Sequence, residues 1–552
     1  MKAIKLHSTQ FFIAGIILAA LVITSHFLIY GVPNNDDSLI HFTFASAVYD
    51  SLNNGNLISS GQPEANNGYG AFTVRFYPLL AAYSIASLYF ITESWHVAGF
   101  LFFWLWMSMG GIGIFLFSKE WLDSKYAFLA SILYIFEPYH NVQINALFAN
   151  AEFVAGSVLV FCFLFTTRLL KHGKTGDVLG LAVSYSLLIL SNIPITLIGS
   201  IVLGAYALGC FYFFRSDFSK GLKLLIGLVT GVLGSSFYLY RLFSELNWIN
   251  HSDPEFLKVS DKNYEYYFVD HATAFFFGDL VLFNFIFLIA VPIAVILFKA
   301  SRDTKRRIYP LIIVTVFSIF MSTTYSGVVW KVFPVLQNVQ FPWRWFTVTS
   351  IGFGILVAVS TSILAQILAG KKIVLTLWIS LFLVSNLFFT YAYVIRANLI
   401  DVSFVIASEE LQKVVNINSH KPTYDVWQTI WTKKSAFSVK EKVIANGRDY
   451  EVYKWEGFDK QLRIDAGEAQ NVRLAVSYYP HWKATVNGTP VEVSKTVDGA
   501  ITIPVQSDES VIDLKFVEPL SIKIFLAVSC VTWLVLLMLF SLKAYNESRQ
   551  KL

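Results

Sequence analysis

Apolar residues run through most of this chain in long blocks broken by short polar joints, and the pattern holds from residue 9 to residue 395 before it changes. A helix needs about 20 apolar residues to cross the hydrocarbon core of a bilayer. Thirteen stretches approach that length: 9–30, 71–92, 97–118, 126–140, 148–170, 177–193, 195–214, 221–241, 273–298, 308–326, 345–368, 373–395 and 519–543. The first follows Lys2 and Lys5, has no small-residue cleavage site after it, and reads as a retained span. The segment 71–92 carries Arg75 and Pro78 and is expected to be re-entrant or interfacial.

Between 397 and 517 the period changes from blocks to alternation. "VRLAVSYYPHWKATVNGTPVEVSK" reads as strands turning at Asn487-Gly488, the dipeptide that suits a type I′ hairpin, and "AITIPV" and "VIDLKFVEP" add further period-two runs. A small β sandwich is expected here, with helix in "SEELQKVVNI" an open alternative for its earlier part. The chain then divides into a transmembrane domain over 1–396 with a first outer loop at 31–70, a β-rich domain over 397–517, and a last span with a cytoplasmic tail over 518–552. The fold class is a polytopic α-helical membrane protein, of about 12–13 transmembrane or re-entrant helices, with a C-terminal extracytoplasmic β-rich domain.

Composition agrees with the pattern. Of 552 residues, 55% are hydrophobic and only 14% charged, which excludes a soluble globule. The net charge of +5 is spread through short loops and gives no footprint for nucleic acid. The three cysteines lie in apolar stretches and suggest neither disulfides nor a metal site. Where the charge falls sets the orientation. Lys and Arg favour cytoplasmic loops, and basic clusters at 168–174, 215–220, 299–307 ("KASRDTKRR"), 371–372 and 543–551 follow every second span. That register puts both termini inside and the β-rich segment outside.

Ionisable residues then gather at the outer ends of the spans, while the span centres are nearly empty of charge. Charge in a membrane is costly and marks function. A transporter is expected to carry such groups at the midplane, so an enzyme working on a lipid-linked substrate at the outer surface fits better. Asp36 and Asp37 stand side by side in "NNDDSLIH", with His41 one helical turn on. Glu152 sits inside an apolar helix. Arg75, Tyr139, His140 and Arg344 share the outer level, although Arg344, in "FPWRW", also suits an aromatic belt that anchors lipid headgroups.

Four stretches in this order, "NNDDSLIH", "YIFEPYHNVQINALFANAEF", "NVQFPWRWF" and "YYPHWKATVNGTPVEV", resemble the bacterial membrane proteins related by name to 6-pyruvoyl-tetrahydropterin synthase, and the glycosyltransferases of the GT-C superfold. The pterin of that name has no counterpart in these residues. The resemblance implies a multi-pass protein of the bacterial cytoplasmic (inner) membrane. It further implies transfer of a sugar from a polyprenyl-phosphate carrier to an envelope glycan or lipid acceptor, with an acid of the first outer loop acting on the acceptor. Asp36 and Asp37 are then the catalytic candidates, as a base or as ligands of a divalent cation, and the residues leave both uses open. His41, Arg75, Tyr139, His140, Glu152 and Arg344 are the substrate-binding candidates. Related proteins carry an arginine ahead of the glutamate that matches Glu152; "NVQINALFANAE" has no base, which leaves His140 or Arg344 to supply the charge. The alternatives are a non-catalytic protein that binds a lipid-linked glycan, and a transporter or flippase.

Overall fold

The computed structural model describes residues 2–33, 36–249, 264–270, 278–368, 370–398, 405–406, 410–413, 415 and 428–549. Every apolar block of the sequence becomes a helix. The N-terminal half comprises α1 (Lys2–Tyr30), α2 (Asp36–Asn53), α3 (Leu80–Thr92), α4 (Trp95–Ser118), α5 (Ser124–Ile135), α6 (Pro138–Asn141), α7 (Asn150–His172), α8 (Thr175–Ser191) and α9 (Ile193–Phe214). There follow α10 (Phe218–Gly234), α11 (Ser236–Glu245), α12 (Gly278–Lys299), α13 (Arg302–Met321), α14 (Gly327–Val332), α15 (Phe346–Ile367), α16 (Lys372–Asn398) and α17 (Leu520–Arg549).

Among the described residues, 7 helices are long and apolar enough to cross a membrane, or 9 if the bent pairs α10–α11 and α13–α14 each count as one span. Three of the thirteen candidates fall short in length. Leu80–Thr92 has 13 residues, about 20 Å at 1.5 Å per residue, short of a ~30 Å hydrocarbon core. Thr175–Ser191, with 17 residues, and α5, with 12, are likewise short, whereas α12 runs for 22 residues.

The spans around α7 and α15 are the most enclosed, each 83% buried, whereas that of α17 is 11% buried. Small residues let the central helices close up, as is usual where lipid supplies no hydrophobic drive between them. A Cβ on Gly354 of α15 would lie 2.5 Å from the Ala130 carbonyl oxygen of α5, so only glycine permits that crossing. The two innermost helices are thus α7 and α15, and their N-terminal ends carry Glu152 and the turn before Phe346.

The C-terminal domain is a sandwich of antiparallel sheets, as the alternation predicts. One sheet has the order β3-β6-β10-β9 and the other β4-β5-β11-β7-β8, with β3 at Val443–Ile444, β4 at Tyr450–Glu456, β5 at Asp459–Ile464, β6 at Gln470–Ser477, β7 at Trp482–Val486, β8 at Thr489–Val491, β9 at Ser494–Lys495, β10 at Ala500–Val505 and β11 at Ser510–Phe516. Inward residues of both sheets, including Leu462, Leu474, Ile503 and Leu514, meet in one core. The β7–β8 turn pairs Val486 with Thr489, and Asn487 and Gly488 both have positive φ (51° and 77°), the I′ signature. Of "SEELQKVVNI", the described residues 410–413 and 415 are helical; the rest of that stretch lies outside the described residues.

The first outer loop is sewn to this domain. A short ribbon pairs β1 (Val32–Pro33) with β2 (Val405–Ile406). The Ser477 amide donates to the Tyr69 carbonyl at 2.7 Å. Phe72 packs on Tyr479 and Phe516, with ring centroids 4.2 and 5.4 Å apart.

Candidate functional site

Two polar clusters lie at helix ends, and the sequence candidates divide between them. The first forms where a helix breaks. After α5 the chain meets Glu137-Pro138; the residue before proline is driven to extended backbone, and proline fits the first position of a new helix. Glu137 caps α6, accepting from the Tyr139 and His140 amides at 3.0 and 3.2 Å, and from the Ser350 hydroxyl at 3.0 Å. A π turn follows at Val142–Ala146. Phe148 then takes φ +50°, a conformation that costs a bulky side chain energy and persists where its surroundings impose it. Helix α7 starts two residues later, with Glu152 in its first turn, where the helix dipole favours a carboxylate.

Arg344 reaches this break from 192 residues away in sequence. Pro342 opens a single 3-10 turn, Pro342–Trp345, which presents the guanidinium at the head of α15. Arg344 Nε donates to Glu152 Oε2 at 3.1 Å and Nη1 to the Val339 carbonyl at 2.6 Å, and the group lies 4.7 Å from the centroid of the Phe341 ring. The other Glu152 oxygen accepts from the Tyr139 hydroxyl and from Gln143 Nε2 at 2.9 Å. His140 Nδ1 meets Gln143 Oε1 at 3.1 Å, so an unbroken chain of contacts runs His140–Gln143–Glu152–Arg344. Arginine carries five N–H donors. Arg344 uses two of them among the described residues, and its side chain keeps 15% exposure.

The first outer loop closes on the same place. Helix α2 begins at Asp36, whose side chain lies outside the described residues; Asp37 is exposed in its first turn, and His41 follows one turn on and is buried. The His41 ring packs on Tyr77 at 5.8 Å and Phe148 at 6.5 Å, and burial pushes its imidazole down to about 4, so it is neutral at neutral pH. Tyr77 sits at the centre. Burial raises its phenol well above the ordinary value, and the charges of Arg344, Asp37 and Glu152 all act on it. Among the described residues no three His, Cys, Asp or Glu side chains gather as a metal site.

Arg75 goes elsewhere. It is fully buried in the second cluster, where all five N–H donors are engaged: Nε and Nη2 on Glu245 at 2.8 and 2.7 Å, Nη1 and Nη2 on Glu518 at 2.5 and 3.0 Å, and Nη1 also on the Ser60 carbonyl at 3.3 Å. Tyr479 and His481 donate to Glu245 as well, at 2.6 and 2.7 Å. Tyr479 and Phe516 flank the guanidinium, each ring centroid 5.3 Å away. With no donor left over, Arg75 pins the outer loop, α11 and the end of the β domain together.

Sequence reasoning passed over Tyr77, Gln143, Glu245 and Glu518. Only Glu245 left a signal, as a lone acid at the end of an apolar block. Of the aromatic rings nearby in sequence, Trp248 lies against Tyr479 and His481, Tyr264 stacks on Trp330, and Tyr266 is exposed.

A model of the family described as 6-pyruvoyl-tetrahydropterin synthase related domain, membrane protein, matches residues 74–394. Comparison with curated proteins finds no match. Among solved structures, the chain is similar to ArnT from Cupriavidus metallidurans bound to undecaprenyl phosphate, at 12% identity and a TM-score of 0.43, over 75% of this chain and 77% of that one. It is also similar to the oligosaccharyltransferase AglB from Archaeoglobus fulgidus in complex with an inhibitory peptide and a dolichol-phosphate, at 13% identity and a TM-score of 0.41. That match covers 72% of this chain but only 56% of AglB.

Proposed function

The chain belongs to the family of membrane proteins described as 6-pyruvoyl-tetrahydropterin synthase related, and from its site we propose that it transfers a sugar from a polyprenyl-phosphate carrier to a glycan or lipid acceptor at the outer surface of the bacterial cytoplasmic membrane. The observation that carries this reading is the Glu152-anchored Arg344, a partly exposed cation at the outer end of the two innermost spans, facing a loop that carries paired carboxylates.

The chemistry assigns each group a task. An acceptor hydroxyl is a poor nucleophile, and Asp36 or Asp37 takes its proton as the oxygen bonds to the anomeric carbon. The bond from that carbon to the phosphate oxygen breaks, and the electron pair leaves with the lipid phosphate. Arg344 meets the charge on that oxygen with the N–H groups it does not spend on protein. Glu152, Tyr139 and Gln143 hold Arg344 in place, and Tyr77, kept protonated by burial, is a further donor. The β domain fixes the outer loop from above without supplying the acid.

The test is hexose transfer from a polyprenyl-phosphate hexose to membrane acceptors by the purified protein. Asp→Asn at the working position is expected to lower the rate by about 10² to 10⁴ while lipid binding persists. Unchanged transfer in the Asp36→Asn, Asp37→Asn double variant excludes both carboxylates. A wild type that binds the lipid but transfers nothing is a binder of lipid-linked glycan.

The orientation follows from the basic loops: termini inside, sandwich outside. A membrane-impermeant thiol reagent added to intact cells should label Cys at Asn487, an exposed hairpin tip, and spare Cys at Ser301 beside the "KASRDTKRR" loop. The opposite labelling would invert the assignment.

A further inference from the structure

Helix α16 turns a narrow face to the protein. Leu377, Leu381, Val384, Leu387, Phe388 and Tyr391 are exposed, while Phe382, Asn386 and Phe389 are buried at the spacing of one helical stripe. The elements α16 packs against are α5, α6, the π turn and α15. Phe382 meets Trp378 and Phe353 on this side. Asn386, one turn further out, is fully buried, and neither its amide nitrogen nor its oxygen has a hydrogen-bond partner among the described residues. An unsatisfied amide on a membrane span is costly, and such residues mark function.

The elements opposite carry matching atoms. His140 is 2% exposed; its Nδ1 meets Gln143 Oε1, and since Gln143 Nε2 donates to Glu152, that oxygen must accept. His140 is then protonated on Nδ1, which leaves Nε2 an acceptor without a partner among the described residues. Asn145, 4% exposed, meets His26 Nε2 at 2.6 Å with one end of its amide; since His26 Nδ1 donates to the Ile23 carbonyl, Nε2 accepts from the Asn145 amide N–H, and the other end of that amide is unmatched among the described residues. Two acceptors, on His140 and Asn145, and one amide offering both a donor and an acceptor thus stand on packed elements. None of the three is charged.

We propose that Asn386, His140 and Asn145 form the wall that receives the neutral hydroxyl-bearing ring of the transferred sugar, one hydrogen-bonded chain away from the phosphate-binding Arg344. This rests on the reading of the site as a polyprenyl-phosphate sugar site and adds what it recognises. A hydroxyl both donates and accepts, so it satisfies such a set, whereas a phosphate or carboxylate finds no cation there. Selection falls on uncharged sugars.

The test compares two probes, a bare polyprenyl phosphate and the same lipid phosphate carrying an uncharged hexose, on the full chain in lipid nanodiscs. The wild type should bind the hexose-bearing probe more tightly. Asn386→Leu, with Asn386→Met as a second variant of similar volume, should weaken that probe about tenfold, the scale of one lost hydrogen bond, and leave the bare lipid within about twofold. The ligand-free protein should also melt higher in both variants, because an unpaired amide has been replaced by an apolar group. Equal losses for both probes, or no loss for either, overturn the wall and leave the phosphate site standing. A wild type that binds the bare lipid with no preference for the hexose does the same. A wild type that binds neither probe overturns both the wall and the proposed function.

Discussion

Two arginines at helix ends of the same membrane protein, one buried and one partly exposed, are used in opposite ways. Arg75 meets two glutamates and a carbonyl with every donor it has, between two aromatic rings and fully out of solvent. Among the described residues Arg344 meets one glutamate and one carbonyl with two of its five donors, and it stays partly exposed. The first arrangement holds parts of the chain together; the second is the one proposed to meet an anion. Charge in a membrane-facing protein therefore signals function only after its partners are counted.

The sharpest way to break this comparison is to remove each cation in turn. Arg75→Met leaves Glu245 and Glu518 buried without their shared partner, and such a loss costs about 3–5 kcal/mol; thermal unfolding or protease resistance should show it. Arg344→Gln is expected to leave the melting temperature near the wild-type value and to abolish polyprenyl phosphate binding. If Arg344→Gln unfolded the protein and Arg75→Met did not, the two roles would be exchanged.

A smaller effect is expected one bond away from Arg344. Glu152→Gln keeps the volume and the contact with Tyr139 but removes the charge that fixes the guanidinium, and a misplaced binding group costs about 10²-fold in rate. The loss should appear in kcat/KM with little change in stability. A rate equal to wild type would show that Arg344 needs no anchor.

The smallest effect sharpens the comparison from the Arg75 side. Burial would push the Glu518 carboxyl up, but the hydrogen bonds and charge of Arg75 hold it below its usual range. A carboxyl lowered in this way stabilises the folded state above its unfolded value of about 4.3 and loses that contribution as pH falls through its folded value. Docking of the β domain, followed by hydrogen exchange at Tyr69 and Ser477, should therefore be constant from pH 7 to about 5 and loosen only in stronger acid. Loosening near pH 6 would exclude Glu518 as the controlling group.

Much of this was legible beforehand. The apolar blocks mark each helix because a bilayer requires their length, and the Asn487-Gly488 turn reads directly because its positive φ values are local chemistry. Asp36, Asp37, Tyr139, His140, Glu152 and Arg344 were visible as polar residues where polarity is costly, as was Arg75. Their division into two clusters was not. Nothing in "TVRFYP" tells that Arg75 will find Glu245 and Glu518, 170 and 443 residues away.

The sequence by itself determined the class of molecule, the number of apolar blocks, the sandwich and the level at which charge gathers, because each depends on composition and period within one segment. The tertiary structure alone decided which arginine is saturated and which keeps donors unused among the described residues, that Glu152 receives its cation from the head of α15, and that Asn386 is buried on the face α16 turns to the protein. Those outcomes depend on how many partners a buried polar group finds within about 3 Å, a quantity that exists only once distant segments have packed.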